Sequence, residues 1–220
     1  MGSVILNPAF RSKGLARTPD ARPPLVAVTG GIACGKSALG AILQSTGAEV
    51  VDTDEIVHRL QAPGQPLSLA IGEAFGSECL LPDGSVNRPA LARIVFRDPA
   101  QRERLNALSH PLVRDQVSAW RAKPSGAWLR ACLVPLLFET GWESDWDWTI
   151  CIVCSPETQW KRLLMRGLSE EDARRRLQSQ APPEVKAARA DIVIRNDGSL
   201  DDLRAAVGEL RQWVQNPTTK

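Results

Sequence analysis

The sequence is poor in the residues and runs that build several common kinds of protein. It has only two histidines, His58 and His110, which leaves no cluster for a zinc site. Its five cysteines are an odd number without a secretory signal, which predicts reduced thiols in a cytoplasmic protein. Apolar runs such as Ala131–Phe138 are far shorter than the ~20 residues that cross a bilayer. We therefore expect no membrane span.

Excess charge of one sign is also missing. The formal net charge is +2, of which +3 lies in the first 24 residues, so the rest of the chain carries −1. A nucleic-acid-binding surface needs clustered positive charge, so no nucleic-acid partner is expected. The 220 residues, 43% hydrophobic and 24% charged, are ordinary for a globular protein and exclude disordered and fibrous classes. We expect a monomer that acts on a small molecule.

A C-x-x-C pair, Cys151 and Cys154, suggests a metal or redox site at first sight. It lies in the run Trp148–Cys154, which has the pattern of a buried strand. Side chains three positions apart in a strand point to opposite faces, which argues against a shared metal or a thioredoxin-like pair.

The first 24 residues contain arginine and proline but little apolar periodicity. This composition predicts a flexible N-terminal tail, residues 1–24. An organelle transit peptide is the alternative, disfavoured because no amphipathic helix is evident.

From Leu25 onward, apolar strand patterns alternate with helical ones. This order predicts an α/β fold in which a five-stranded parallel sheet is flanked by helices. Ser155 before Pro156 and Ser199 before Asp202 have the pattern of helix N-termini. The last helix places four apolar residues on one stripe. The five predicted strands are Leu25–Thr29, Ala48–Asp52, Leu129–Phe138, Trp148–Cys154 and Asp191–Arg195.

Two insertions interrupt this pattern. The core is expected to comprise residues 25–60, 127–155 and 186–215. Residues 61–126 are mostly helical in pattern, and residues 156–185 resemble a charged helical pair.

The strongest chemical signal is the segment Gly30–Ser37, which matches G-x-x-x-x-G-K-[ST], the Walker A or P-loop pattern. It lies between a predicted strand and a predicted helix, as the pattern requires. Glycines let backbone N–H groups converge on phosphate oxygens, Lys36 reaches the β and γ phosphates, and the Ser37 hydroxyl ligates Mg²⁺. The sequence therefore predicts a nucleoside triphosphate as ligand, with Mg²⁺.

A pair of carboxylates, Asp52 and Asp54, follows the second predicted strand. If the chain stays extended, both lie on one face at the edge of the sheet where ligands bind. A carboxylate there can take the proton of an acceptor hydroxyl. The alternative is structural, with Asp52 ending the strand and Asp54 capping the next helix. The local pattern leaves both readings open.

Taken with its other landmarks, the chain resembles the dephospho-coenzyme A kinase family from Leu25 to about Val207. The resemblance departs from the family in the loop, where Ala33 and Cys34 replace glycine and serine. The landmarks, in the family's order, are Thr29-Gly-Gly-Ile32, Gly35-Lys-Ser37, Val51-Asp-Thr-Asp54, Phe75-Gly76, Asp83-Gly84, Asn87-Arg88, His110-Pro111, Pro135-Leu-Leu-Phe-Glu139, Gln159-x-x-Arg162, Arg166, Gln180, Ala190-Asp191 and Asn196-x-Gly198.

The resemblance implies ATP-dependent phosphorylation of the ribose 3′-hydroxyl of dephospho-coenzyme A, with Mg²⁺. It also implies that residues 61–126 form a helical substrate domain and that residues 156–185 form a mobile lid. ATP would be bound by Gly31, Ile32, Ala33, Cys34, Gly35, Lys36, Ser37, Ala38 and Arg166.

Residue by residue, Asp54 matches the family's base, and Asp52 matches its companion. Arg162 matches a lid arginine that closes on the phosphates with Arg166, since the two are spaced i and i+4. For these arginines the alternative is a solvated basic helix face. The predicted substrate residues are Asp52, Asp54, Arg88, His110 and Glu139, with a helix boundary at His110-Pro111 and an ordinary strand-edge carboxylate at Glu139 as alternatives.

The two loop departures have predictable consequences. Backbone N–H groups bind the phosphates, so the loop tolerates Ala33, at a cost of ~1 kcal/mol only if its φ is positive. Cys34 beside a lysine and a helix N-terminus is expected to have a lowered pKa and to be oxidisable. Another small-molecule P-loop kinase, or a regulatory nucleotide switch, stays an alternative for the whole chain. The sequence contains no N-K-x-D motif for guanine recognition, which argues against the switch.

Overall fold

The computed structural model describes residues 3–7, 22–178 and 182–216. Strands and helices alternate along most of this length. Their bounds are β1 (Ser3–Leu6), β2 (Leu25–Gly30), α1 (Lys36–Ser45), β3 (Glu49–Asp52), α2 (Thr53–Leu60), α3 (Pro66–Phe75), α4 (Arg88–Val95), α5 (Pro99–Arg121), β4 (Arg130–Leu133), β5 (Trp148–Val153), α6 (Pro156–Met165), α7 (Glu170–Gln178), α8 (Pro183–Arg189), β6 (Ile192–Arg195) and α9 (Leu200–Gln215).

The strands form a sheet in the order β1-β6-β5-β2-β4-β3. Strand β2 pairs in parallel with β4 and β5, and β5 pairs in parallel with β6. This confirms the α/β fold. The buried faces of β2 and β5 pack against α1 and α9.

The predicted number of strands is wrong by one, because β1 lies antiparallel to β6 at the sheet edge. Its residues belong to the segment predicted as a flexible tail, so that prediction is wrong for Ser3–Leu6. An edge strand presents unpaired N–H and C=O groups, and this short apolar segment pairs with them. Four residues are too few for a periodicity to reveal the strand. Residues 8–21 of the predicted tail lie outside the described residues.

Helix boundaries follow local chemistry closely. Ser155 accepts a hydrogen bond from the Thr158 backbone at the start of α6, with Pro156 in the first helical position. Ser199 and Asp202 form a capping box on α9. Both predicted N-termini are confirmed, and so is the apolar stripe of α9, formed by Leu203, Val207, Leu210 and Val214, all buried.

The third predicted strand is shorter than expected. It ends at Leu133 rather than Phe138, because Pro135 has no N–H to donate to a sheet ladder. The residues after it form turns instead.

The chain divides into two compact units, Met1–Val51 with Ser125–Lys220, and Asp52–Pro124. We refer to them as the sheet unit and the helical unit. In the helical unit, α5 contacts α2, α3 and α4. Helix α5 continues through Pro111, so a helix boundary at His110-Pro111 is ruled out. Among the described residues, no helix is both long and apolar enough to cross a membrane.

Candidate active site

The Walker A segment Gly30–Ser37 joins the end of β2 to the start of α1. Gly35 is the N-cap of α1 and has φ +103°, a left-handed conformation that favours glycine. A Cβ at this position would lie 2.3 Å from Nδ2 of Asn196, so a side chain is excluded by space as well as by conformation. Lys36 and Ser37 follow as the first two residues of α1, and Ser37 is exposed.

Ala33 is a strained residue inside this segment. Its φ is +58°, and among the described residues other than glycine it alone has a positive φ. Its methyl group is buried in a small cluster with Leu163 of α6 and Ala173 of α7. Because φ of Ala33 is positive, the backbone strain of ~1 kcal/mol expected for this case applies.

Three side chains donate hydrogen bonds to backbone carbonyl groups of the same segment. Nε2 of Gln159 donates to the Ile32 carbonyl at 2.8 Å, and Nδ2 of Asn196 donates to the Cys34 carbonyl at 2.8 Å. Arg162 donates through Nη1 to the carbonyls of Ala33 at 3.3 Å and Cys34 at 3.5 Å. Gln159 and Asn196 are buried. Both are landmarks of the family, but no role could be predicted for them from the sequence, because their partners are more than a hundred residues away along the chain.

The two predicted lid arginines have different surroundings. Arg162 is half-buried, and its Nη2 also donates to the Asn196 carbonyl at 2.9 Å. Arg166 is exposed at the C-cap of α6. Arg162 therefore lies beside the Walker A segment. Contacts of Arg162 and Arg166 with ATP phosphates stay predictions.

The lowered pKa expected of Cys34 is wrong, and its oxidation stays a prediction. Its Sγ lies 3.4 Å from Sγ of Cys154, and both thiols are buried. The hydrogen bond with Cys154, followed by burial, raises the pKa of Cys34 rather than lowering it. Both thiols belong to the apolar core cluster, and burial there disfavours the charged thiolate of Cys34.

Glu139, a predicted substrate residue, forms an ion pair that the sequence did not reveal. Its Oε1 lies 2.8 Å from Nζ of Lys186, and the same ammonium donates to the Pro135 carbonyl at 2.9 Å. Thr29, at the end of β2, donates to that carbonyl as well. Glu139 is thus bound within the sheet unit rather than being a solitary strand-edge carboxylate. Lys186 lies in an alanine-rich helix whose pattern gives no sign of burial.

The carboxylates Asp52 and Asp54 do not lie on an extended chain, because α2 begins at Thr53. Asp52 is the N-cap of α2, and its Oδ1 accepts a hydrogen bond from the Asp54 backbone at 2.9 Å. Asp52, rather than Asp54, therefore caps the helix. Asp54 is exposed in the first helical turn.

Asp54 lies at a groove of about 330 Å³ within the helical unit. Arg88 also lines it, and Nε of Arg88 donates to Oε1 of Gln61 at 2.9 Å. The groove thus combines an acid, a base and an amide with an apolar wall that includes Leu91, Val95 and Phe96.

His110 lies in α5 and does not line this groove. Burial, followed by the charge of Arg114, lowers the pKa of His110. The lowered pKa favours the neutral form of His110.

A mostly parallel sheet whose central strand runs through a Walker A segment into a helix is the arrangement of the P-loop class of α/β proteins. Residues 24–202 match the model of a protein family described as dephospho-CoA kinase. The chain belongs to the dephospho-CoA kinase family.

Individual relatives agree with this assignment. The chain is 44% identical over 188 residues to a dephospho-CoA kinase of Symbiobacterium thermophilum, covering 83% of this chain and 78% of that protein. It is 40% identical over 199 residues to one of Arabidopsis thaliana, covering 89% and 85%.

Two solved structures share the fold. A protein from Thermus thermophilus has a TM-score of 0.77 and 33% identity, covering 91% of this chain and all of that one. A dephospho-CoA kinase from Campylobacter jejuni has a TM-score of 0.62 and 29% identity, covering 89% and 98%.

Proposed function

We propose that the protein transfers the γ-phosphoryl group of ATP to the ribose 3′-hydroxyl of dephospho-coenzyme A, giving coenzyme A and ADP. The observation that carries this proposal is the complete Walker A segment at the junction of β2 and α1, in a chain that belongs to the dephospho-CoA kinase family. This reaction is the last step of coenzyme A biosynthesis.

On the nucleotide side, the backbone N–H groups of residues 31–38 bind the phosphate oxygens of ATP. The N-terminus of α1 adds its positive end, and Lys36 neutralises charge on the β and γ phosphates. Arg162 and Arg166 add positive charge as the phosphoryl group moves, because charge spreads over its oxygens in the transition state.

Ser37 is the residue of this chain that would hold Mg²⁺. Its hydroxyl is exposed in the first turn of α1, and an oxygen ligand suits this ion. The described residues contain no group of three or more histidine, cysteine or acidic side chains that could hold a metal. A single protein ligand, the Ser37 hydroxyl, fits Mg²⁺, because this ion usually keeps several waters and binds largely through substrate phosphates. When bound, the ion neutralises charge on the phosphates.

On the acceptor side, the groove of the helical unit binds part of dephospho-coenzyme A. Its apolar wall buries uncharged parts of the molecule, and Arg88 pairs with phosphate oxygens. Asp54 accepts the proton of the 3′-hydroxyl as its oxygen bonds to the γ phosphorus and the bond to the leaving oxygen of ADP breaks. Asp52 caps α2 and so holds the turn that carries Asp54.

The experiment that tests the proposal is coupled ADP release with ATP and a panel of acceptors. Dephospho-coenzyme A is compared with shikimate, nucleoside monophosphates and water as acceptors, and the product is located on the ribose by mass spectrometry and NMR. Turnover with dephospho-coenzyme A at least 100-fold above the others supports the proposal. Preference for another acceptor, or hydrolysis indifferent to dephospho-coenzyme A, contradicts it. The monomeric state and the cytoplasmic location stay predictions.

A further inference from the structure

Buried side chains form hydrogen bonds with the backbone carbonyl groups of the Walker A segment. In a phosphate-binding loop the N–H groups must converge on the ligand, so the carbonyl groups of the same peptides point away from it. Here the carbonyls of Ile32 and Cys34 each accept a hydrogen bond of 2.8 Å from a buried side-chain amide. A peptide whose carbonyl is fixed has a fixed N–H direction as well, because the peptide unit is planar.

We propose that Gln159 and Asn196 are positioning residues for ATP, which bind the outward carbonyls of Ile32 and Cys34 and so keep the amides of the loop turned toward the phosphates. Neither residue needs to touch the nucleotide for this role. The inference rests on the proposed function for the identity of the ligand.

Asn196 is well placed for this role. It is 6% exposed, and its Nδ2 occupies the space that a Cβ on Gly35 would need. It therefore binds one peptide of the loop and packs against the next residue, whose left-handed conformation ends the loop. The chain around Asn196 is itself fixed, since its N–H donates to the Val153 carbonyl at 2.8 Å and its carbonyl accepts from Arg162.

Gln159 acts from a different element. It is 4% exposed on α6, one turn before Leu163, which packs against Ala33. A Cβ on Gly31 would lie 2.9 Å from its Nε2, so the amide also lies against the start of the loop. Two side chains from separate parts of the chain thus bind carbonyls on either side of the strained Ala33. Without them, this left-handed residue has fewer contacts that favour it over relaxed conformations.

The test measures binding of ATP alone, by isothermal titration calorimetry, to the full chain and to Asn196→Ala and Gln159→Ala. Each variant is expected to weaken ATP binding by about tenfold or more, the effect of a lost buried hydrogen bond on one ligand-bound loop. Binding of dephospho-coenzyme A, measured in the same way, is expected to stay within about twofold of the parent protein.

The matched control is Trp128→Phe. Trp128 also donates to a backbone carbonyl, that of Thr46 at 3.1 Å, but at the opposite end of α1, about 15 Å along the helix. This variant loses the same kind of bond, and its affinity for ATP is expected to be unchanged. If Asn196→Ala does not fold, Asn196→Asp, which keeps the side-chain shape, replaces it, and Gln159→Ala tests the proposal from a separate helix.

Unchanged ATP affinity in the folded variants would overturn the proposal. Equal weakening of both ligands, or the same weakening of ATP binding in Trp128→Phe, would also overturn it, since either result indicates a general loss of structure. The outcome is separate from that of the proposed function. A parent protein that binds ATP but does not phosphorylate dephospho-coenzyme A contradicts the proposed function and leaves this inference standing.

Discussion

Lys186 is 1% exposed, and its Nζ lies 2.8 Å from Oε1 of Glu139, whose side chain is 31% exposed. The pair joins α8 to the turn that follows β4. The ammonium group is almost completely buried, whereas the carboxylate is still partly exposed to water. The two partners therefore differ in what happens when the other is removed.

Glu139→Gln is expected to destabilise the protein more than Lys186→Met. The first change leaves a buried ammonium without its counter-charge, at ~3 kcal/mol in the free energy of unfolding, whereas the second leaves a carboxylate that water still reaches, at ~1–2 kcal/mol. Urea unfolding followed by circular dichroism measures both values. The expectation is wrong if Lys186→Met is the more damaging of the two.

Lys36→Ala is expected to lower kcat/KM for ATP by ~10²–10³, since one group that stabilises transferred charge is lost. The thermal unfolding midpoint should change little because Lys36 is only half-buried. Lys161→Ala is the control, an exposed lysine in the same unit whose loss should leave kcat/KM within about twofold. A similar loss of activity in both variants would indicate a nonspecific charge effect.

Asp54→Asn is expected to lower kcat by ~10²–10⁴, the range for losing a general base, with ATP affinity retained. The matched control is Glu55→Gln, because both acids are exposed in the first turn of α2 and interact alike with its dipole. Steady-state kinetics with saturating ATP and dephospho-coenzyme A decide the matter. Near-normal kcat in Asp54→Asn would show that Asp54 is not the base.

Changes at Ala33 are expected to depend on side-chain shape. In Ala33→Gly, relief of the left-handed strain, ~1 kcal/mol, offsets only one of two losses of similar size, the lost methyl burial and the added freedom of the unfolded chain, so stability should fall by ~1 kcal/mol. In Ala33→Val, a branched side chain at φ +58° should cost ~2 kcal/mol or more and weaken ATP binding. Thermal unfolding and ATP titration of both variants test this. Equal behaviour of glycine and valine would show that the backbone relaxes freely.

Stability is expected to fall in alkaline solution. Burial raises the pKa of Cys151 to about 12, whereas a cysteine in the unfolded chain titrates near ~8.5. The folded state keeps a proton that the unfolded state releases, so the stabilisation is complete below about pH 8.5 and is lost as the pH rises toward 12. The slope for one such group is ~1.4 kcal/mol per pH unit.

Urea unfolding at several pH values above neutrality measures this slope. The neighbouring pair Cys34 and Cys154 contributes in opposing directions, because their hydrogen bond raises the pKa of Cys34 and lowers that of Cys154. Cys151→Ala removes one of the contributing thiols, and its stability should therefore decline less steeply with pH than that of the parent chain. An identical slope in the variant would contradict the assignment.

Local signals were sufficient for much of the fold. The apolar runs of β2 and β5, the serine caps of α6 and α9, and the glycine-rich junction before Lys36 all depend on residues within one or two turns of each other. Some errors were local, such as the third strand that ends before Pro135, but others occurred where a distant partner decides the outcome. Strand β1 exists because the edge of β6 is available, and the pKa of Cys34 is raised because Cys154 lies beside it.

The sequence by itself determined the Walker A segment and the family, since both depend on residue types in a fixed order along the chain. Only the tertiary structure decided which side chains hold that segment, that Asp52 caps a helix while Asp54 lines a groove, and that Glu139 has a buried ammonium as its partner. The physical reason is that hydrogen bonds and ion pairs depend on separation in space. Lys186 and Glu139, or Asn196 and Cys34, are brought together by the packing of helices on the sheet and not by any local pattern.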